Sequence, residues 1–184
     1  MGTALLVVVG LIAVVVIWAV ATYNRLVGLK NQVDNAWAQI DVQLKRRYDL
    51  IPNLVETVKG YAAHEKEVFE NVAAARSAMM QAQSVEEQAQ AQNQITQALK
   101  SLFAVAEAYP ELKANENFVA LQQELSATED SIAQSRQIYN DVVAGFNTLI
   151  QSFPSSIIAS SFGFTKRDYF PMEDSAREAP KVGF

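Results

Sequence analysis

The stretch RRYDLIPNLVETVKGYAAHEKEVFE, residues 46–70, decides how many helices the chain has. Apolar residues recur through it and beyond at helical spacing, with Val55, Val58, Ala62, Val68 and then Val72 and Met79. That is the rhythm of a helix packed along one face. Pro52 interrupts it. Inside a helix, proline removes the bond to the Tyr48 carbonyl at a cost of about 3 kcal/mol. The seven-residue rhythm nevertheless runs through it, which allows one long helix kinked at Pro52. The other reading is a tight reversal near residues 49–52, with Pro52 in the first turn of a new helix. We adopt the reversal, although no glycine marks it. It predicts an all-α fold, with an N-terminal transmembrane helix followed by an antiparallel bundle of four long helices near 24–50, 53–83, 85–108 and 115–152. The kinked alternative gives three.

The same stretch holds the chain's only histidine. His64-Glu65 begins like the zinc motif H-E-x-x-H, which needs a second histidine one helical turn on. Val68 stands there instead. The Glu-x-x-His pattern of carboxylate di-iron bundles fails too, because Tyr61 fills the slot three before His64. With no cysteine in the chain, thiolate metal sites, disulfides and cysteine nucleophiles are excluded. No glycine-rich phosphate loop occurs. The sequence therefore assigns no catalytic, cofactor-binding or metal residue, and His64 reads as a solvated side chain.

Upstream, residues 4–21 (ALLVVVGLIAVVVIWAVA) carry no charge. At about 1.5 Å per residue they span roughly 27 Å, close to the hydrocarbon thickness of a bilayer. Trp18 and Tyr23 fall where interfacial aromatics sit. A cleaved signal peptide is the competing reading, since Ala19-Val20-Ala21 resembles a cleavage site. The basic start such a peptide needs is missing, so an uncleaved anchor is expected. Arg25, Lys30 and Lys45-Arg46-Arg47 all follow the apolar run, which predicts a bundle on the cytoplasmic side of a bacterial inner membrane. The alternative is an extracytoplasmic bundle. The net charge of −5, with no longer basic block, argues against nucleic acid as a partner.

Alanine, glutamine, leucine, glutamate and lysine fill the middle of the chain, a composition that favours helix. Phe118, Leu125, Ile132, Tyr139, Phe146 and Phe153 recur every seven residues. A second row runs Leu121, Thr128, Ser135, Val142 and Leu149, so the pair reads as the a/d seam of a helix about 57 Å long. Ser84-Val85-Glu86-Glu87 matches a capping box. Tyr109-Pro110 ends the helix that follows, and Asn115 or Asn117 is the expected N-cap of the last one. These features divide the chain into an anchor at 1–22, a helical bundle at 23–153, an aromatic membrane-proximal tail at 154–171 and a disordered terminus at 172–184.

Two sets of polar residues stand out near the seams. Glu129 and Arg136 share the row that continues to Val143 and Ile150. They read as flank charges in solvated pairs or, more sharply, as part of a buried pair with Arg76 or Arg47 that fixes helix register. The second set is an internal echo: YNRLVGLKN from Tyr23 and YNDVVAGFN from Tyr139. If the first and last helices are antiparallel neighbours, Asn24 falls level with Asn147 and Asn31 with Asn140. That is a possible polar clamp beyond the bilayer, set against four exposed asparagines.

YNRLVGLKNQVDNAWAQIDVQLKRRYDLIPNLVETVKGYAAHEKEVFENVAAAR, EAYPELKANENFVALQQEL and YNDVVAGFN together resemble the bacterial LemA family over residues 4–170. The resemblance implies a membrane anchor, a four-helix bundle, no known catalytic activity and no cofactor. It also implies an association with membrane-protein quality control beside a membrane zinc protease or, in one branch, with magnetosome membranes. Some relatives carry a lipidated cysteine just before the Tyr-Asn motif, where this chain has Thr22. The expected function is a non-enzymatic, membrane-anchored scaffold or adaptor. It would bind lipid through residues 4–21, assemble with copies of itself and engage a membrane protease or another membrane protein. A membrane-shaping role is the further alternative.

Overall fold

The computed structural model describes residues 1–82 and 84–171, and the terminus expected to be disordered, 172–184, lies outside them. All secondary structure among the described residues is helical. The order is α1 (Gly2–Lys59), α2 (Lys66–Gln81), α3 (Val85–Glu107), α4 (Pro110–Lys113), α5 (Glu116–Gln151) and α6 (Ser155–Ser161). The chain forms two compact units. One comprises residues 1–39 and 137–168, the other residues 40–136 and, among those described, 169–171.

The expected reversal at Pro52 does not occur. Pro52 lies inside α1, which runs on to Lys59. The magnitudes explain why. One proline in a helix interior costs about 3 kcal/mol, whereas Ile51, Leu54 and Val58 beside it are 1%, 0% and 0% exposed. Each such burial contributes about 1.5–3 kcal/mol, and a reversal at 49–52 would break the face that carries them. The chain turns instead at residues 60–65. Tyr61 N–H and Ala62 N–H both donate to the Val58 carbonyl, at 3.0 and 2.9 Å, and Glu65 N–H donates to the Ala62 carbonyl at 3.2 Å. His64 is exposed in this turn.

In the unit built on residues 40–136, α2 packs along α3. Phe69 and Val72 of α2, Ile95 and Leu102 of α3, Leu112 of α4 and Phe118 and Leu125 of α5 close over the Ile51–Val58 face of α1. α3 opens on a complete capping box. Ser84 Oγ accepts from Glu87 N–H at 3.1 Å, and a Glu87 carboxylate oxygen accepts from Ser84 N–H at 3.2 Å. The four-residue α4 follows Tyr109-Pro110, and Asn115 Oδ1 accepts from Phe118 N–H at 3.1 Å as α5 begins.

In the other unit, Leu26, Val33 and Ala36 of α1 and Tyr139, Val143, Phe146 and Ile150 of α5 are buried. The rings of Trp37 and Tyr139 lie 5.4 Å apart. The first seven-residue row of α5 is buried from Phe118 to Phe146, but Phe153 is 83% exposed. The second row shifts within this unit. Val143 and Ile150 are buried, while Val142 and Leu149 are only half-buried. A straight helix drifts about 20° per heptad against a strict seven-residue repeat, so the buried stripe migrates across the face.

Replacing Ser84 by alanine removes one half of the capping box. It is expected to lower stability by about 1 kcal/mol, read as a shift in the denaturant midpoint with an unchanged slope.

Candidate functional site

The most concentrated polar chemistry in the bundle is built around Arg47. Its side chain is only 3% exposed. The spacing Ile40, Leu44, Arg47, Ile51, Leu54, Val58 puts it on the core face of α1, and all six residues are buried. A guanidinium taken out of water needs both hydrogen-bond partners and a counter-charge. Arg47 has them on two other helices. Nη1 donates to Gln92 Oε1 and Nη2 to Thr96 Oγ1, each at 2.9 Å. Gln92 and Thr96 are one turn apart on α3, so both reach the same planar group. Glu129 of α5 supplies the charge, with Oε2 at 2.9 Å from Nη1. One cation therefore ties α1, α3 and α5 together.

A cavity of about 290 Å³ lies beside this cluster, with Leu99, Phe103, Leu125 and Lys100 in its wall. The neighbouring pair Arg46–Glu124 has the same 2.9 Å separation, but its side chains are 55% and 42% exposed. A second cavity of about 200 Å³ is lined by Asp41, Tyr48, Met79, Met80 and Gln88. Burial pushes the Asp41 carboxyl above its ordinary range, against a lowering hydrogen bond from Gln88. The Arg76 guanidinium lies 4.0 Å over the Tyr48 ring, and Tyr48 O–H donates to Met80 Sδ at 2.8 Å. Among the described residues no group of three His, Cys, Asp or Glu side chains is placed to hold a metal ion.

The other residues singled out from sequence fall apart from this cluster. Arg136 stacks its guanidinium 4.6 Å over the ring of Phe170, which is 2% exposed. In the unit of residues 1–39 and 137–168, Asn24 and Asn31 are exposed, Asn140 is half-buried and Asn147 is buried. The Asn147 amide is directed to the tail. Nδ2 donates to the Arg167 carbonyl at 2.8 Å and Oδ1 accepts from Arg167 N–H at 2.9 Å. The Asn147 amide thus forms a backbone clamp on residue 167. Tyr139 O–H reinforces it by donating to the Asp168 carbonyl at 2.9 Å, and Arg167 reaches Asp34 at 3.0 Å. Burial raises the Tyr139 hydroxyl pKa above its usual value, opposed by nearby Arg167.

The sequence profile of the LemA family matches residues 36–184. The chain belongs to the LemA family. Arg47, Gln92, Thr96 and Glu129 all lie in the matched region. Among curated LemA-like relatives, magnetosome proteins MamQ 1 and MamQ 2 of Paramagnetospirillum magneticum are each 26% identical over 186 residues, covering 87% of this chain and 68% of theirs. Protein LemA of Metamycoplasma hominis is 26% identical over 137 residues, covering 74% of this chain and 63% of its own.

Removing one partner of a buried charge pair strands the other. Glu129→Ala is expected to cost about 3 kcal/mol of stability, and Glu124→Ala less than about 1 kcal/mol. Parallel denaturant titrations of the two variants check the contrast.

Proposed function

We propose that the protein is a non-enzymatic scaffold or adaptor anchored in a bacterial inner membrane by residues 4–21 of α1. The observation that carries this reading is the state of that segment. It is continuously apolar and uncharged, it is helical, and its side chains are exposed apart from a half-buried Ala19. A soluble protein rarely leaves so large a contiguous apolar surface uncovered, and a helix of this length suits a bilayer. Arg25, Lys30, Lys45 and Arg46 follow the segment, which favours a cytoplasmic bundle. Within the bundle the strongest polar groups serve helix pairing, with Arg47 held by Gln92, Thr96 and Glu129. That supports a role exercised through helix faces, towards further copies of the chain or another membrane protein. A membrane protease of the quality-control system is the partner suggested by family resemblance. The similarity to magnetosome proteins favours a second reading, in which clustered anchors organise or shape lipid.

The absence of native cysteine makes one substitution sufficient as a probe. Lys113 is exposed at the end of α4. Lys113→Cys is expected to stay with membranes through a carbonate wash. It is also expected to resist an impermeant thiol reagent in intact spheroplasts and to react once detergent is added. Labelling in intact spheroplasts would put the bundle outside, and release by carbonate would remove the anchor. Cross-linking in the same membranes is expected to give species heavier than the monomer. Recovery of monomer alone would contradict the scaffold reading.

A further inference from the structure

α5 does not end by running on along α1. It stops at Gln151, and α6 leaves it at 94°. Both α6 and the end of α5 belong to the unit that contains residues 1–39. In that unit α5 lies antiparallel to α1, as the Trp37–Tyr139 contact at one end and the Tyr23–Phe162 contact at the other require. α6 is therefore roughly perpendicular to α1 and sits at the level of Tyr23, two residues beyond the apolar run 4–21.

The surface at this level is apolar. Phe153 is 83% exposed, Phe162 62% and Ile157 54%. Residues 142–165 contain no charged side chain. Three of the four serines of α6 add little polarity, because their hydroxyls turn back onto backbone. Ser155 Oγ donates to the Leu149 carbonyl at 2.6 Å, and Ser160 and Ser161 Oγ donate to the Ile157 carbonyl at 3.1 and 2.8 Å. Helical serines satisfied in this way are tolerated in lipid.

The exit from α6 fixes the aromatic contacts. Gly163 has φ +73°, a conformation that suits glycine. Its turn is closed by Phe164 N–H donating to the Ala159 carbonyl at 2.9 Å. Phe162 and Phe164 then lie 4.7 and 5.9 Å from the Tyr23 ring. Arg25 and Lys166, two residues beyond Tyr23 and Phe164, are exposed cations at the same level, suited to anionic headgroups.

From this geometry we infer a second membrane contact: α6 with Phe153 and Phe162 lies flat in the interfacial layer of the bilayer that residues 4–21 span, its ring and aliphatic side chains inserted below the headgroups. This surface rests on the anchor reading above. It makes the protein a two-point binder of one leaflet, and the contact fixes how the helix pair of this unit stands on the membrane. The occupant is lipid because Phe162 touches Tyr23, the interfacial residue of the span itself. A partner protein covering the same face would have to lie in the headgroup layer.

The test uses the full chain in vesicles of phosphatidylethanolamine and phosphatidylglycerol, with single nitroxide labels at Val14→Cys, Ile157→Cys, Phe162→Cys and Lys113→Cys. Collisions with oxygen and with a water-soluble nickel chelate report depth. The labels at 157 and 162 are expected to favour oxygen, with ratios between the membrane value at 14 and the aqueous value at 113. Ratios equal to that at 113, with 14 still in lipid, would overturn the contact and leave the anchor intact. An aqueous ratio at 14 would overturn the anchor, and the contact with it. Poor access to both reagents with an immobilised lineshape at 157 would mean a protein cover, which also overturns the proposal. As an independent readout, Ile157→Glu is expected to lower the oxygen-to-nickel ratio at 162 while the ratio at 14 stays the same.

Discussion

A guanidinium 97% removed from water is the constraint on which the bundle around residues 40–136 depends. Leaving such a charge without partners would cost several kcal/mol, so only helix pairings that bring compensating groups to Arg47 are low in energy. Gln92 and Thr96 fix the rotation of α3, because both must present oxygen to one planar group. Glu129 fixes the axial position of α5. The apolar side chains of Ile51, Leu54, Val58, Ile95 and Leu102 supply most of the driving force. They would tolerate neighbouring registers far better than the cation does. Burial of apolar surface makes the bundle compact, and the buried pair selects one arrangement of it.

The separate unit that contains the apolar segment follows a different logic. Its helix pair is held by aromatic and aliphatic contacts, and its one buried amide, Asn147, is spent on the backbone of Arg167. That bond draws the chain after α6 back along α5, and Tyr139 repeats the contact one residue later through the Asp168 carbonyl. The tail up to Asp168 is thus part of this packed unit. Its exposed rings at Phe153 and Phe162 remain on the side where α1 becomes continuously apolar.

Much of this was legible in the sequence. The capping box at Ser84 and Glu87, the span of α5 and the helical run at 4–21 all follow from local chemistry acting within one helix, where spacing carries the information. The misread places depend on partners distant in sequence. Pro52 looked like a break because its local cost is certain, while the burial of Ile51, Leu54 and Val58 that outweighs it is decided by α2, α3 and α5. Gly60 was the better turn signal. Arg47 stands in the basic cluster Lys45-Arg46-Arg47 and is one of two arginines that the sequence offers as a buried partner of Glu129, with solvated flank charges as the other reading. The spacing Ile40, Leu44, Arg47, Ile51 places Arg47 on the core face and distinguishes it from its two basic neighbours. The role of Asn147 was not legible by periodicity, since its partner is the main chain of a non-helical segment. The matching motif at Asn24 and Asn31 lies on exposed positions of α1.

On this account Arg47 turns three helices into one cooperative body. Hydrogen exchange on an Arg47→Met variant tests that most directly. The account predicts that residues 40–59, 85–107 and 116–136 lose protection together, by a similar factor, relative to the unsubstituted protein. Loss confined to the turn of α1 around residue 47, with α3 and α5 as protected as before, would contradict it.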